Sequence, residues 1–151
     1  MDSHSHLFFK CSYANSIWKE FQSRIQVECD DKDWNAIMEL FAGMHNSKNI
    51  DSIISRLSLA ACVYFIWQER NNRLFKNESR KWEELLNAIT DIIRLRLVSL
   101  KVKNSKAVRK AQEKWEMASN LGQVNTWLSR NVVHKFLLIK RGVDIDFSAD
   151  C

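Results

Sequence analysis

The sequence predicts an all-α fold: an irregular helical bundle of about five to six helices, with a central apolar helix near 52–75 packed on one at 79–100. Three observations carry this. Proline is absent and only three glycines occur in 151 residues, too few for the many tight turns of a β-sandwich or barrel. Hydrophobic residues make up 46% and charged residues 27%, a globular composition rather than a disordered one. Apolar residues recur at helical spacing along most of the chain. The length suits one domain and is marginal for two.

Residues 15–25 read as the first helix, with Ile17, Trp18, Phe21 and Ile25 on one face and Ser12 as its N-cap. Asp30-Asp31-Lys32-Asp33 breaks that pattern. Asp33 can cap a second helix carrying Trp34, Ile37, Met38 and Phe41, with Gly43 near its end. The next element starts at Asp51. Ile53, Ile54, Leu57, Ala60, Ala61, Tyr64, Trp67 and Leu74 form one stripe; Leu59, Val63 and Ile66 add a second. A helix apolar nearly all round belongs in the centre of a bundle.

Asn77 or Ser79 is expected to cap the fourth helix, where Trp82, Leu85, Leu86, Ile89, Ile92, Ile93, Leu97 and Leu100 follow a 3.6-residue period. Asn104 or Ser105 is expected to cap a fifth, with Val108, Ala111, Trp115 and Ala118 inward and an end near Gly122. A sixth apolar stretch runs over 124–139, through Trp127, Val132, Phe136 and Leu137. The polar stretch 102–105 divides the chain into a helical domain, 1–100, and a basic helix with a divergent helical tail, 101–151. Trp18, Trp34, Trp67 and Trp82 lie on apolar stripes, so they are read as core and not as base-stacking residues.

The net charge of +5 is unevenly placed. Residues 1–53 carry five Lys/Arg and eight Asp/Glu, whereas 69–114 carry thirteen and six. From 94 to 114 the basic residues are Arg94, Arg96, Lys101, Lys103, Lys106, Arg109, Lys110 and Lys114, opposed only by Glu113. Such a run either contacts RNA or DNA phosphates or forms a solvated face, with cations favoured at helix C-termini.

The chemistry of catalysis is not visible. The glycines are isolated, so no phosphate-binding loop exists, and neither HExxH nor a nucleophile elbow occurs. Asp146 and Asp150 flank Phe147-Ser148-Ala149 near the C-terminus, where a solvated tail is the simpler reading. We read no catalytic residue and no enzyme. The cysteines, Cys11, Cys29, Cys62 and Cys151, show no CxxC spacing, which argues for free thiols in a reducing compartment. The first six residues lack a basic leader region, and the apolar run 59–67 is about half of what a membrane helix needs. The expectation is an intracellular protein, cytoplasmic or nuclear, with no membrane partner.

Two blocks carry a family resemblance. The first is His6-Leu7-Phe8-Phe9-Lys10-Cys11, followed by Ile17-Trp18; the second runs from Ala60 through Ile66-Trp67-Gln68-Glu69-Arg70-Asn71-Asn72-Arg73-Leu74-Phe75. At this separation they resemble the zinc-binding region that follows the reverse transcriptase in plant LINE-type (non-LTR) retrotransposons. In that family a CxxC pair precedes an H-L-F-x-x-C block, and a helix ending I-W-x-E-R-N-x-R-x-F follows. The resemblance covers about residues 2–100. It departs from the pattern in lacking the CxxC pair, so the chain looks like a C-terminal fragment of a retroelement polyprotein.

The resemblance implies that His6 and Cys11 stand at two zinc-ligand positions. Structural zinc takes four ligands, and His4 and Cys29 are the further candidates, though not at the family's spacing. The other readings are an incomplete half-site, or Cys11 as a small buried apolar residue and His6 as a cap. No cofactor is expected. Glu69 and Arg73, four apart on one helix, are read as a structural ion pair. The functional expectation is a non-catalytic fragment with weak, sequence-independent nucleic-acid binding. The alternative is a protein-interaction module whose partner meets the C-terminal half, through an apolar patch of Trp115, Trp127, Phe136 and Leu137.

Overall fold

The computed structural model describes residues 3–29, 33–44, 47–99 and 103–115. A single π-helical turn, His6–Lys10, leads into α1, Ser12–Ile25. Then come α2, Trp34–Gly43; α3, Ile50–Phe75; α4, Trp82–Ser99; and α5, Lys106–Lys114. No strand occurs among the described residues, and the all-α reading holds. The expected sixth stretch at 124–139 lies outside them.

The helix starts follow from local chemistry. Asp33 caps α2 by accepting from the Asn35 N–H at 3.0 Å, and Ser105 caps α5 through the Val108 N–H at 3.2 Å. Asn49 caps α3 through the Asp51 N–H at 2.7 Å. Two starts differ from the sequence reading. Helix α1 begins at Ser12, and its cap is Cys11, whose Sγ accepts from the Ala14 N–H at 3.3 Å. Helix α4 begins only at Trp82. Neither Asn77 nor Ser79 caps it: Asn77 turns the chain with a φ of 53°, and the Arg80 N–H is already taken by a side chain of α3.

The α4 core is built where its stripe predicts. On α3 the buried set also takes in Cys62 and Phe65, whereas Ile53, Leu57, Ala60, Val63 and Trp67 are only half-buried and Leu74 is 62% exposed. Ile54, Leu59, Ala61, Cys62, Tyr64, Phe65 and Ile66 of α3 are buried, as are Leu85, Ile89, Ile92, Ile93 and Leu97 of α4. These two helices form the most extensive packed pair, and α1 packs on both through Ile17, Trp18 and Phe21. Of the four core tryptophans expected, Trp18 is fully enclosed. Trp34, Trp67 and Trp82 are only half-buried, as suits a side chain so large that it is rarely enclosed completely. By length and composition α3 is long and apolar enough to cross a membrane; 61% of its most apolar stretch is buried inside this protein.

The chain divides into two compact units, Met1–Met117 and Ala118–Cys151, and the second lies outside the described residues. The described helix of the expected 101–151 segment, α5, falls within the first of these units. It packs on α3 and buries Val108, Ala111 and Trp115. That apolar face draws the basic helix into the first unit.

Candidate nucleic-acid interface

The His6 and Cys11 positions occupy the two ends of the π-helical turn rather than a loop. The Cys11 N–H donates to the His6 carbonyl at 2.9 Å, which closes the turn. His6 is exposed and Cys11 is half-buried. The Cys11 sulfur faces the open N–H groups of α1, where a cap is needed. His4 stacks against Phe8 and lies 5.2 Å from the Trp34 ring. No group of three or more His, Cys, Asp or Glu that could hold a metal ion occurs among the described residues. A donor set of one imidazole and one thiol does not fit tetrahedral zinc.

The second block supplies Glu69 and Arg73 to a clamp that Arg80 completes. Glu69 is 2% exposed, and three donors converge on it. Arg73 Nε reaches Oε1 at 3.1 Å, the Arg80 N–H reaches Oε1 at 2.7 Å, and Arg80 Nε reaches Oε2 at 2.9 Å. Burial pushes the Glu69 carboxyl up, but hydrogen bonds from the Arg80 backbone and from the Arg80 and Arg73 guanidinium groups, with the Arg80 charge, outweigh it, so its pKa is lowered. Arg73 also donates to the Arg80 carbonyl at 2.9 Å and lies 4.2 Å over the Tyr13 ring. The Tyr13 hydroxyl donates to the same carbonyl at 3.2 Å. Burial, then the Glu69 charge, raises the Tyr13 pKa.

The ion pair read at Glu69 and Arg73 is thus present. Its second arginine, Arg80, was not foreseen, because it sits in a polar connection with no periodic signal. The cluster ties the end of α3 to the start of α4 and both to α1. Its groups satisfy one another, which makes it an element of architecture.

The basic run separates into two populations. Arg94 is engaged in the fold: its Nε donates to the Trp115 carbonyl at 2.7 Å, and its Nη1 meets Asp91 at 3.4 Å. Arg96 is half-buried on α4, and Lys101 lies outside the described residues. Lys103, Lys106, Arg109, Lys110 and Lys114 are exposed. None of these five is held in an ion pair among the described residues.

Helix α5 sets the geometry of this second group. Val108, Ala111 and Trp115 point inward, and Lys106, Arg109, Lys110 and Lys114 fall on the opposite side. From Lys106 to Lys114 the helix rises about 12 Å. Glu113 stands among them, four residues from Arg109 and three from Lys110, so the face carries four cations and one acid. Trp115 anchors the helix at 3% exposure, its ring stacked on Phe21 at 6.3 Å. Arg24 covers both rings, at 5.8 and 6.0 Å, and donates to Thr90 Oγ1 at 3.0 Å. Arg24 and Thr90 escaped the sequence reading, since their link spans distant segments. No family model, no curated protein and no solved structure matches the chain.

Proposed function

We propose that this chain is a non-catalytic, retrotransposon-derived helical domain that binds RNA or DNA weakly and without reading sequence, through the outer face of α5. The observation that supports this reading is the set Lys103, Lys106, Arg109, Lys110 and Lys114, all exposed on or just before a helix whose other face is anchored. Lysine and arginine on phosphates release counterions, and the resulting affinity falls steeply with salt. Point charges on phosphates carry no base information. The affiliation rests on the two sequence blocks, one of which supplies Glu69 and Arg73 of the clamp. Zinc has no role in this reading.

The test is binding of the purified chain to unrelated RNA and DNA sequences at several salt concentrations, with zinc assayed in the same preparation. The expected result is similar affinity for all sequences and a steep loss with salt. A strong preference for one sequence, or no binding at low salt, overturns it.

A second reading, a helical protein-interaction module, is favoured by Leu74 and Phe75, adjacent at the end of α3 and 62% and 71% exposed. Trp115 does not contribute to an exposed patch, because it is buried against Phe21. Trp127, Phe136 and Leu137 lie outside the described residues.

A further inference from the structure

We infer that the α5 face is matched to a double-stranded nucleic acid rather than a single strand, an inference that rests on the reading of α5 as the binding face. Sequence-independent binding of single strands relies on aromatic side chains that stack on the bases, worth about 1–3 kcal/mol per base. The outward positions of α5 are Lys106, Ala107, Arg109, Lys110, Gln112, Glu113 and Lys114; none is aromatic, and Arg109 alone among them carries a planar guanidinium. The aromatic residue beside the helix, Trp115, is turned inward onto Phe21 and covered by Arg24. Phe75 is exposed but belongs to another place. It follows Arg73, which lies over Tyr13, whereas Trp115 lies against Phe21, eight residues and about 12 Å further along α1.

What remains on α5 is charge carried on an anchored helix. Arg94 and Trp115 hold the C-terminal end of the helix, and Ser105 caps its start. A helix held at both ends gains most from a partner whose phosphates are already in place; a single strand must be ordered first. The duplex also carries one charge per about 1.7 Å of axis, and each phosphate neutralised releases about 0.9 counterion against about 0.7 for a single strand.

A basic amphipathic helix can instead lie on an anionic membrane, but that mode sinks the apolar face into lipid. In α5 that face is buried under α3 and α1.

The experiment compares the full chain on a short mixed-sequence DNA duplex and on one of its strands alone, each over a salt series. A parallel variant carries Lys106→Gln, Arg109→Gln, Lys110→Gln and Lys114→Gln, its helicity checked by circular dichroism. The duplex should bind several-fold tighter, with the steeper salt slope, and the variant should lose that advantage. A strand bound as tightly as the duplex overturns the inference and leaves the proposed function standing. Duplex preference kept in the variant overturns the assignment to α5. Failure to bind either ligand at low salt overturns the proposed function with it.

Discussion

Glu69 accepts from both the backbone N–H and the guanidinium of Arg80, eleven positions along the chain, at 2.7 and 2.9 Å. One carboxylate thereby fixes where α4 begins and how it leaves α3. Removing it strands two guanidinium groups and a backbone donor. Breaking a buried pair typically costs about 3–5 kcal/mol, but the Arg73 and Arg80 side chains are 39% and 38% exposed and can turn to water. Glu69→Ala should therefore cost about 2–4 kcal/mol. Urea unfolding is the measurement; a destabilisation under about half a kcal/mol, roughly a twofold change in the folding constant, rejects the clamp.

The same carboxylate sets a pH dependence. The Glu69 pKa is lowered in the folded chain relative to its ordinary value of 4.5, so below that value the unfolded chain binds the extra proton. Its contribution is fully present above pH 4.5 and is lost as pH falls through the lowered folded value. Unfolding curves at neutral pH and below about pH 4 should show the Glu69→Gln difference shrinking with acidity. A difference that grows instead contradicts the depressed value.

Cys11 separates a capping role from a metal-binding one. Serine is among the strongest N-caps, so Cys11→Ser should hold or raise stability, whereas Cys11→Ala should cost about 0.5–1 kcal/mol. A thiolate that ligates zinc tolerates neither change. The purified chain should hold well under one zinc per molecule, and chelator should leave its helical circular dichroism unchanged. Stoichiometric zinc lost together with the fold would reverse this assignment.

These residues also show what a single sequence carries. The stripe of α4 was legible because burial of one helix face imposes the 3.6-residue period directly, whereas α3 is apolar nearly all round, so its pattern did not separate buried Cys62 and Phe65 from half-buried Leu57 and Trp67. Asp33 and Ser105 were legible because the residues that cap well are few. Cys11 is outside that group, and the preceding π-helical turn follows a different period, so both were hidden. Arg80 on Glu69, Arg24 on Thr90 and Arg94 on the Trp115 carbonyl link distant segments of the chain. Backbone atoms take part in two of these links, and a backbone atom has no residue identity to read. The α5 face was legible as charge, but only its docking through Trp115 separates the exposed lysines from Arg94.

That separation yields the most direct test of the basic run. Replacing Lys101, Lys103, Lys106, Arg109 and Lys110 with Gln should weaken binding to all nucleic-acid sequences alike. The salt slope should flatten by about 0.7–0.9 for each phosphate that is no longer neutralised. Stability should barely change, since the four of these that are described are exposed and unpaired. Arg94→Gln should behave in the opposite way. It removes the 2.7 Å bond to the Trp115 carbonyl and the ion pair with Asp91, so it should cost about 1–3 kcal/mol, the usual range for a charged donor at a part-buried acceptor. At temperatures where the variant stays folded, its salt slope should match the parent, because Arg94 faces the protein and not a phosphate. A slope that flattens in Arg94→Gln as much as in the five-residue variant would return the whole run to one interface and remove the division that α5 imposes.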